Sequence, residues 1–141
     1  PRQKQCYNAV LDVLKEAKKI LVPGTTIEKT NKQIALMLEQ KMIELGLFSA
    51  DDVKNNTGSA PLYFKYYMHG ASHFMGLDVH DVGLRTTTLK KGMVLTCEPG
   101  LYIKEEGIGI RIENDILVDD EPIDLMKGIP FEADEIEKLM R

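Results

Sequence analysis

The chain has 141 residues, 43% hydrophobic and 28% charged, with a formal net charge of −4; this suits one globular domain with a real core and excludes a disordered chain. The charge is uneven: residues 1–50 carry eight basic and five acidic groups, residues 51–141 ten and seventeen, and a carboxylate-rich C-terminal part speaks against a nucleic-acid surface while being compatible with cations. No run approaches the ~18 apolar residues of a membrane span, no signal-peptide pattern is visible, and Cys6 and Cys97 are too few for a disulfide framework, so they read as reduced thiols and set the expectation of a cytoplasmic protein without membrane partners.

In chain order, residues 2–21 read as a helix. Val10, Val13, Leu14, Ala17, Ile20 and Leu21 recur at spacings of three and four and form one apolar stripe. Pro23-Gly24 ends it. Thr25 with Glu28 has the spacing of a capping box, opening a second helix whose stripe is Ile27, Ile34, Leu38, Met42 and Leu45, with Gly46 suited to its C-terminal cap. Residues 49–56 read as a short helical turn followed by loop. Residues 61–83 then hold five aromatic residues and all three histidines. Residues 93–98 read as a strand stopped by Pro99-Gly100, with residues 101–103 continuing it. Residues 109–118 alternate with period two: Ile110, Ile112, Ile116 and Val118 on one face, Arg111, Glu113 and Asp115 on the other. A last helix covers residues 132–140. Helices followed by strands predict an α+β fold, with helices packed on one face of an antiparallel sheet.

The chemistry-bearing residues concentrate in the second half. His69, His73 and His80 fall within twelve residues. Any one of them could be a hydrogen-bonded structural histidine; the cluster is harder to read that way. Gly70 separates His69 from His73 and no helical stripe surrounds them, so a helical zinc motif is not the reading. Glu98 follows Val94, Leu95 and Cys97 at a strand end. A carboxylate there is either exposed at the end of the strand or paired or metal-bound, because burying it alone is costly. On strand pattern alone, Glu113 belongs to the solvated outer face of an antiparallel sheet.

Three segments, in this order and spacing, resemble the M24 peptidase family: His69-Gly70-Ala71-Ser72-His73 running on to Gly83, Lys91 to Ile103 around Glu98-Pro99-Gly100, and Gly109 to Asp115 around Arg111 and Glu113. The opening residues, Pro1 to Leu11, resemble the first helix after that family's early metal-binding strands. The resemblance implies the curved pita-bread fold and a site for two divalent metals, Mn²⁺ foremost, with Co²⁺ or Zn²⁺ as alternatives. It implies His73 as the single histidine ligand, Glu98 as a ligand that also shuttles protons, and Glu113 as the bridging ligand. His69 and His80 resemble substrate-contacting histidines, and Arg111 an arginine that orients the bridging carboxylate. The implied substrates are peptides with proline at the second position. The His-Gly-x-Ser-His form, the short connection from Gly83 to Lys91 and the Gly-Leu-Tyr-Ile turn point within the family to aminopeptidase P over prolidase.

The family's two aspartate ligands precede the first helix seen here, and Asp12, Asp51, Asp52, Asp78 and Asp81 occupy other motif positions. The expectation is therefore that residues 1–141 are the C-terminal portion of a catalytic domain, with three of five ligands, inactive alone and prone to form a homo-oligomer through an uncovered sheet edge. The competing expectation is a non-catalytic pita-bread module that binds other proteins, a class in which the metal ligands are usually replaced.

Overall fold

The computed structural model describes residues 1–141. The first helix, α1 (Arg2–Ala17), runs into one turn of 3₁₀ helix, and its buried side is Cys6, Ala9, Val10, Leu11, Val13, Leu14 and Ala17. Helix α2 (Ile27–Glu44) buries Ile27, Thr30, Ile34, Ala35, Leu38 and Met42 against it. Its N-terminus departs from the expected capping box. Thr26, not Thr25, is the cap: its side chain accepts from the backbone N–H of Lys29 at 3.2 Å. Thr25 is taken up in backbone pairing, its carbonyl accepting from Leu89 N–H at 2.8 Å, so its chain direction is set by residues 88–89 and the helix starts one residue later. At the other end, Gly46 adopts φ 73°, which lets the Leu47 N–H reach back to the Met42 carbonyl at 3.0 Å. A short helix, α3 (Ala50–Lys54), starts at Ser49, whose hydroxyl and backbone exchange hydrogen bonds with Asp52.

The strands are β1 (Val94–Cys97), β2 (Gly100–Ile103), β3 (Ile108–Arg111), β4 (Asn114–Leu117) and β5 (Ile123–Asp124), followed by α4 (Ala133–Leu139). All pairings are antiparallel, in the orders β1-β4-β5 and β2-β3. The single strand expected over residues 109–118 is thus two strands: β3 pairs with β2 and β4 with β1. The period-two burial nevertheless runs through the junction unbroken, with Ile112, Asn114, Ile116 and Val118 inward and Arg111 and Glu113 outward. The reason lies in the register. Cys97 faces Asn114 and Gly100 faces Arg111, so both pairings belong to one long hairpin. Pro99 interrupts its ladder because it has no N–H to give; only the Ile112 N–H to Pro99 carbonyl contact, at 3.4 Å, crosses there.

The open edge of β1 is lined by residues 71–74. Glu98 N–H donates to the Ala71 carbonyl at 2.8 Å, Thr96 N–H to the His73 carbonyl at 3.2 Å, and Phe74 bridges to Leu95. One cluster of 23 buried residues joins α1 and α2 to the inner face of the strands. At its rim, Asp124 on β5 is fixed by Lys18 at 2.6 Å, by Asn114 Nδ2 at 2.8 Å and by Met126 N–H at 2.9 Å, tying the end of α1 to the sheet.

Candidate metal centre

The unbroken register sets Glu98 opposite Glu113 across the interrupted ladder. Ile112 and Pro99 form the hydrogen-bonded position, so Glu98 and Glu113 occupy the neighbouring non-hydrogen-bonded one, where facing side chains approach closest. Two like charges directly opposite each other destabilise a sheet unless something lies between them. Glu98 is buried and Glu113 exposed.

His73 reaches the same point from the flanking segment. Its backbone N–H donates to Thr96 Oγ1 at 3.0 Å, and Thr96 Oγ1 in turn donates to Glu98 Oε1 at 3.3 Å. His73 Nδ1 lies 2.8 Å from the Phe74 carbonyl oxygen. A carbonyl only accepts, so Nδ1 carries the hydrogen. In the neutral ring the lone pair of Nε2 then faces Glu98 Oε1 at 3.3 Å, an opposition that calls for a proton or a cation. A ring held by a backbone carbonyl through one nitrogen while the other points into a carboxylate site is the usual arrangement of a metal-binding histidine. Potential ligand atoms of His73, Glu98 and Glu113 all lie within 4.8 Å of one another. One imidazole and two carboxylates form a borderline-to-hard donor set that fits a divalent ion.

Arg111 lies on the same face. Its Nε is 3.8 Å from Glu98 Oε2 and 3.8 Å from Glu113 Oε2. These are ion-pair distances rather than hydrogen bonds, with Arg111 about half exposed, so it offsets only part of the repulsion. His80 lies on the exposed loop after His73, its ring edge-on to the His73 ring at 4.3 Å. His69 sits deeper, between Tyr67 at 4.8 Å and Tyr102 at 5.4 Å between ring centres. A cavity of about 360 Å³ is lined by His69, His73, His80, Glu98 and Arg111, together with Ser72 and Arg85 among others. Glu113 is not among its lining residues; it meets the others through its carboxylate. All six residues singled out from sequence therefore belong to one locality. The Ser72 Oγ and Tyr67 hydroxyl are buried without partners. Burial first, then the charge of Glu98, pushes the Tyr67 phenol well above its ordinary pKa, so it stays protonated beside the site.

Two polar residues escaped the sequence reading. Thr96 could have been found, since period two puts it on the face of Glu98. Tyr102, whose hydroxyl reaches His69, was legible as part of the Gly-Leu-Tyr-Ile turn but carried no signal for that contact.

The sequence profile of metallopeptidase family M24 matches residues 1–120. The chain belongs to metallopeptidase family M24. Among curated relatives, this M24 chain is 36% identical to an Xaa-Pro aminopeptidase of Haemophilus influenzae, over 98% of the chain and 35% of that protein. It is 34% identical to human Xaa-Pro aminopeptidase 3, over 97% of the chain and 29% of the relative. Among solved structures, it superimposes on a putative aminopeptidase P from Bacillus anthracis with a TM-score of 0.87 at 45% identity, covering all of this chain and 32% of that one. The zinc-substituted aminopeptidase P of Escherichia coli in complex with product gives 0.84 at 34% identity, covering 99% and 34%. The M24 chain thus spans about a third of the length of the proteins it matches. The expected fold, helices on an antiparallel sheet as in the C-terminal part of the pita-bread architecture, agrees with these structures. No helix is long and apolar enough to cross a membrane.

Proposed function

We propose that residues 1–141 are the C-terminal portion of a metallopeptidase catalytic domain, whose parent protein hydrolyses the Xaa-Pro bond at peptide N-termini. The observation that carries this reading is the convergence of His73, Glu98 and Glu113 within 4.8 Å, the two carboxylates facing each other by register. The names of the relatives supply the bond class. His73 through Nε2, and Glu98 and Glu113 through their carboxylates, would hold divalent ions, two in the parent, with Mn²⁺ suiting a carboxylate-rich set and Co²⁺ or Zn²⁺ as alternatives. When bound, such ions supply Lewis-acid activation of water and of the scissile carbonyl.

The chain's own groups divide the remaining work. Thr96 anchors one oxygen of Glu98, leaving the other to take a proton from the attacking water and return it to the leaving amine. Arg111, near both carboxylates, holds them in orientation. His69 and His80, on the cavity wall, meet the bound peptide, and of the two His80 meets the charge that develops on its carbonyl oxygen. A purely protein-binding role is the competing reading; the intact His73, Glu98 and Glu113 favour the enzyme.

In this chain alone two carboxylates would oppose the four positive charges of two dications. We therefore expect at most one weakly held ion, negligible peptidase activity and self-association through the uncovered sheet edge in this chain alone, and a cytoplasmic parent. Light scattering on this chain measures that self-association. The decisive experiment assays the full-length parent on an Xaa-Pro peptide and its Xaa-Ala counterpart, before and after chelation and Mn²⁺ return. Cleavage confined to the proline peptide and restored by metal is expected. Metal-independent cleavage, or none in a protein that binds metal stoichiometrically, would overturn the proposal.

A further inference from the structure

His69 is clamped at both ring nitrogens. Its Nδ1 lies 2.8 Å from the Gly70 carbonyl oxygen and its Nε2 lies 2.8 Å from the Tyr102 hydroxyl. The carbonyl can only accept, so Nδ1 carries the hydrogen, and the phenol must donate to the bare Nε2 of the neutral ring. Tyr102 can reach His69 because residue 100 is glycine. Its ring lies back over Gly100, two residues earlier on the same face of β2, and over Gly109, its direct partner on β3. A Cβ at Gly100 would stand 2.8 Å from the phenolic oxygen and 3.0 Å from Cε2, closer than carbon atoms are tolerated; a Cβ at Gly109 would stand 3.4 Å from Cδ1, ordinary contact. Glycine inside a strand is otherwise unfavourable, and here it makes room for a ring to lie flat along the sheet.

We propose that Tyr102 is a positioning residue for His69: its hydroxyl fixes the Nδ1–H tautomer and the plane of the imidazole, and Gly100 is required for it to do so. A bound peptide therefore meets the Tyr102–His69 pair and not a free imidazole, because Nε2 is already engaged. The bearing of this on catalysis rests on the reading of His69 as a substrate-contacting residue; the coupling itself does not.

The chain has three histidines, so long-range ¹H–¹⁵N correlation spectra of labelled protein resolve each ring. His69 is expected as the Nδ1–H tautomer. Tyr102→Phe keeps the ring and removes the donor; it should move His69 toward the Nε2–H form favoured by free imidazole while leaving His73 unchanged. Gly100→Ala should reproduce this shift with the tyrosine still present, and Gly109→Ala should not. In the full-length parent, Tyr102→Phe should lower kcat about tenfold, the size expected for one lost hydrogen bond, with KM changed less. An unaltered His69 spectrum in Tyr102→Phe, or equal effects of the two glycine substitutions, would overturn the coupling. A shifted spectrum together with full activity of a His69→Ala parent would uphold the coupling and refute the substrate role of His69 instead.

Discussion

Glu113→Gln is expected to stabilise the metal-free chain and to abolish most of its response to metal. The Glu98 and Glu113 carboxylates lie no more than 4.8 Å apart. Two unit charges at that distance repel by roughly 3.5 kcal/mol at an effective dielectric of 20 and by about 0.9 kcal/mol in water. Glu113 is more than a third exposed, and Arg111 stands 3.8 Å from both, so the lower figure applies and the net gain on neutralising Glu113 is about 1 kcal/mol. For a chain of 141 residues the unfolding entropy is on the order of 0.3 kcal/mol/K, which converts that gain into a rise in Tm of about 3 °C. With metal the order reverses. An ion at one hundred times its Kd stabilises the wild-type chain by about 2.7 kcal/mol, or about 9 °C, and the variant, with one carboxylate fewer, follows only weakly. Thermal unfolding in chelator and in a Mn²⁺ series, read by circular dichroism, measures all four values. If Glu113→Gln lowers Tm in chelator, the pair is held together by Arg111 as a structural ion pair and is not a cation site awaiting charge.

In the parent protein, His73→Ala and Glu113→Ala should each lose both metal and activity, whereas Arg111→Ala should keep most of its metal and lose turnover by about 10–100-fold; metal analysis beside kcat separates the two. Burial pushes the Cys97 thiol up to about 12, so thiolate is scarce at neutral pH, and alkylation of Cys97 should proceed only at the rate of unfolding, as iodoacetamide labelling followed by peptide mapping would show. Asp124 is held below its ordinary pKa: burial opposes this, but the Lys18 ammonium, the Asn114 amide and the Met126 N–H outweigh it. A depressed carboxyl stabilises the fold above its unfolded pKa of about 3.9 and loses that contribution as pH falls through the folded value. The unfolding free energy of Asp124→Asn from urea titration should therefore lie below wild type at pH 7, by about 2 kcal/mol, and the gap should close as the pH falls below 4; a gap constant with pH would contradict this assignment.

The helices were legible in the sequence because their burial is one-sided: the stripes from Val10 to Leu21 and from Ile27 to Met42 are the observed core faces. The cap was misplaced by one residue because Thr25 and Thr26 are both competent caps, and the choice is made by the distant Leu89 N–H. The alternation over residues 109–118 gave the inward and outward faces but not the change of partner at Ile112, which depends on a proline thirteen positions earlier across the hairpin. For Glu113, strand pattern alone pointed to solvent, and its exposure agrees with that. What pattern could not give is the residue opposite it. His73 and Glu98 approach through the pairing of residues 71–74 with β1, a contact with no periodic signature because the segment is too short and irregular to alternate.

The shared register on either side of Pro99 has a kinetic corollary. Glu98 and Glu113 sit on adjoining arms of one hairpin, a local contact of the kind that closes in microseconds. Closing it brings two negative charges together, offset only in part by Arg111 on the same hairpin, so the repulsion of about 1 kcal/mol is expected to slow its pairing several-fold. A divalent ion present during refolding would lower that barrier as well as the energy of the final state. It would then act on the refolding limb of the chevron, as a catalyst of strand pairing, as well as slowing unfolding.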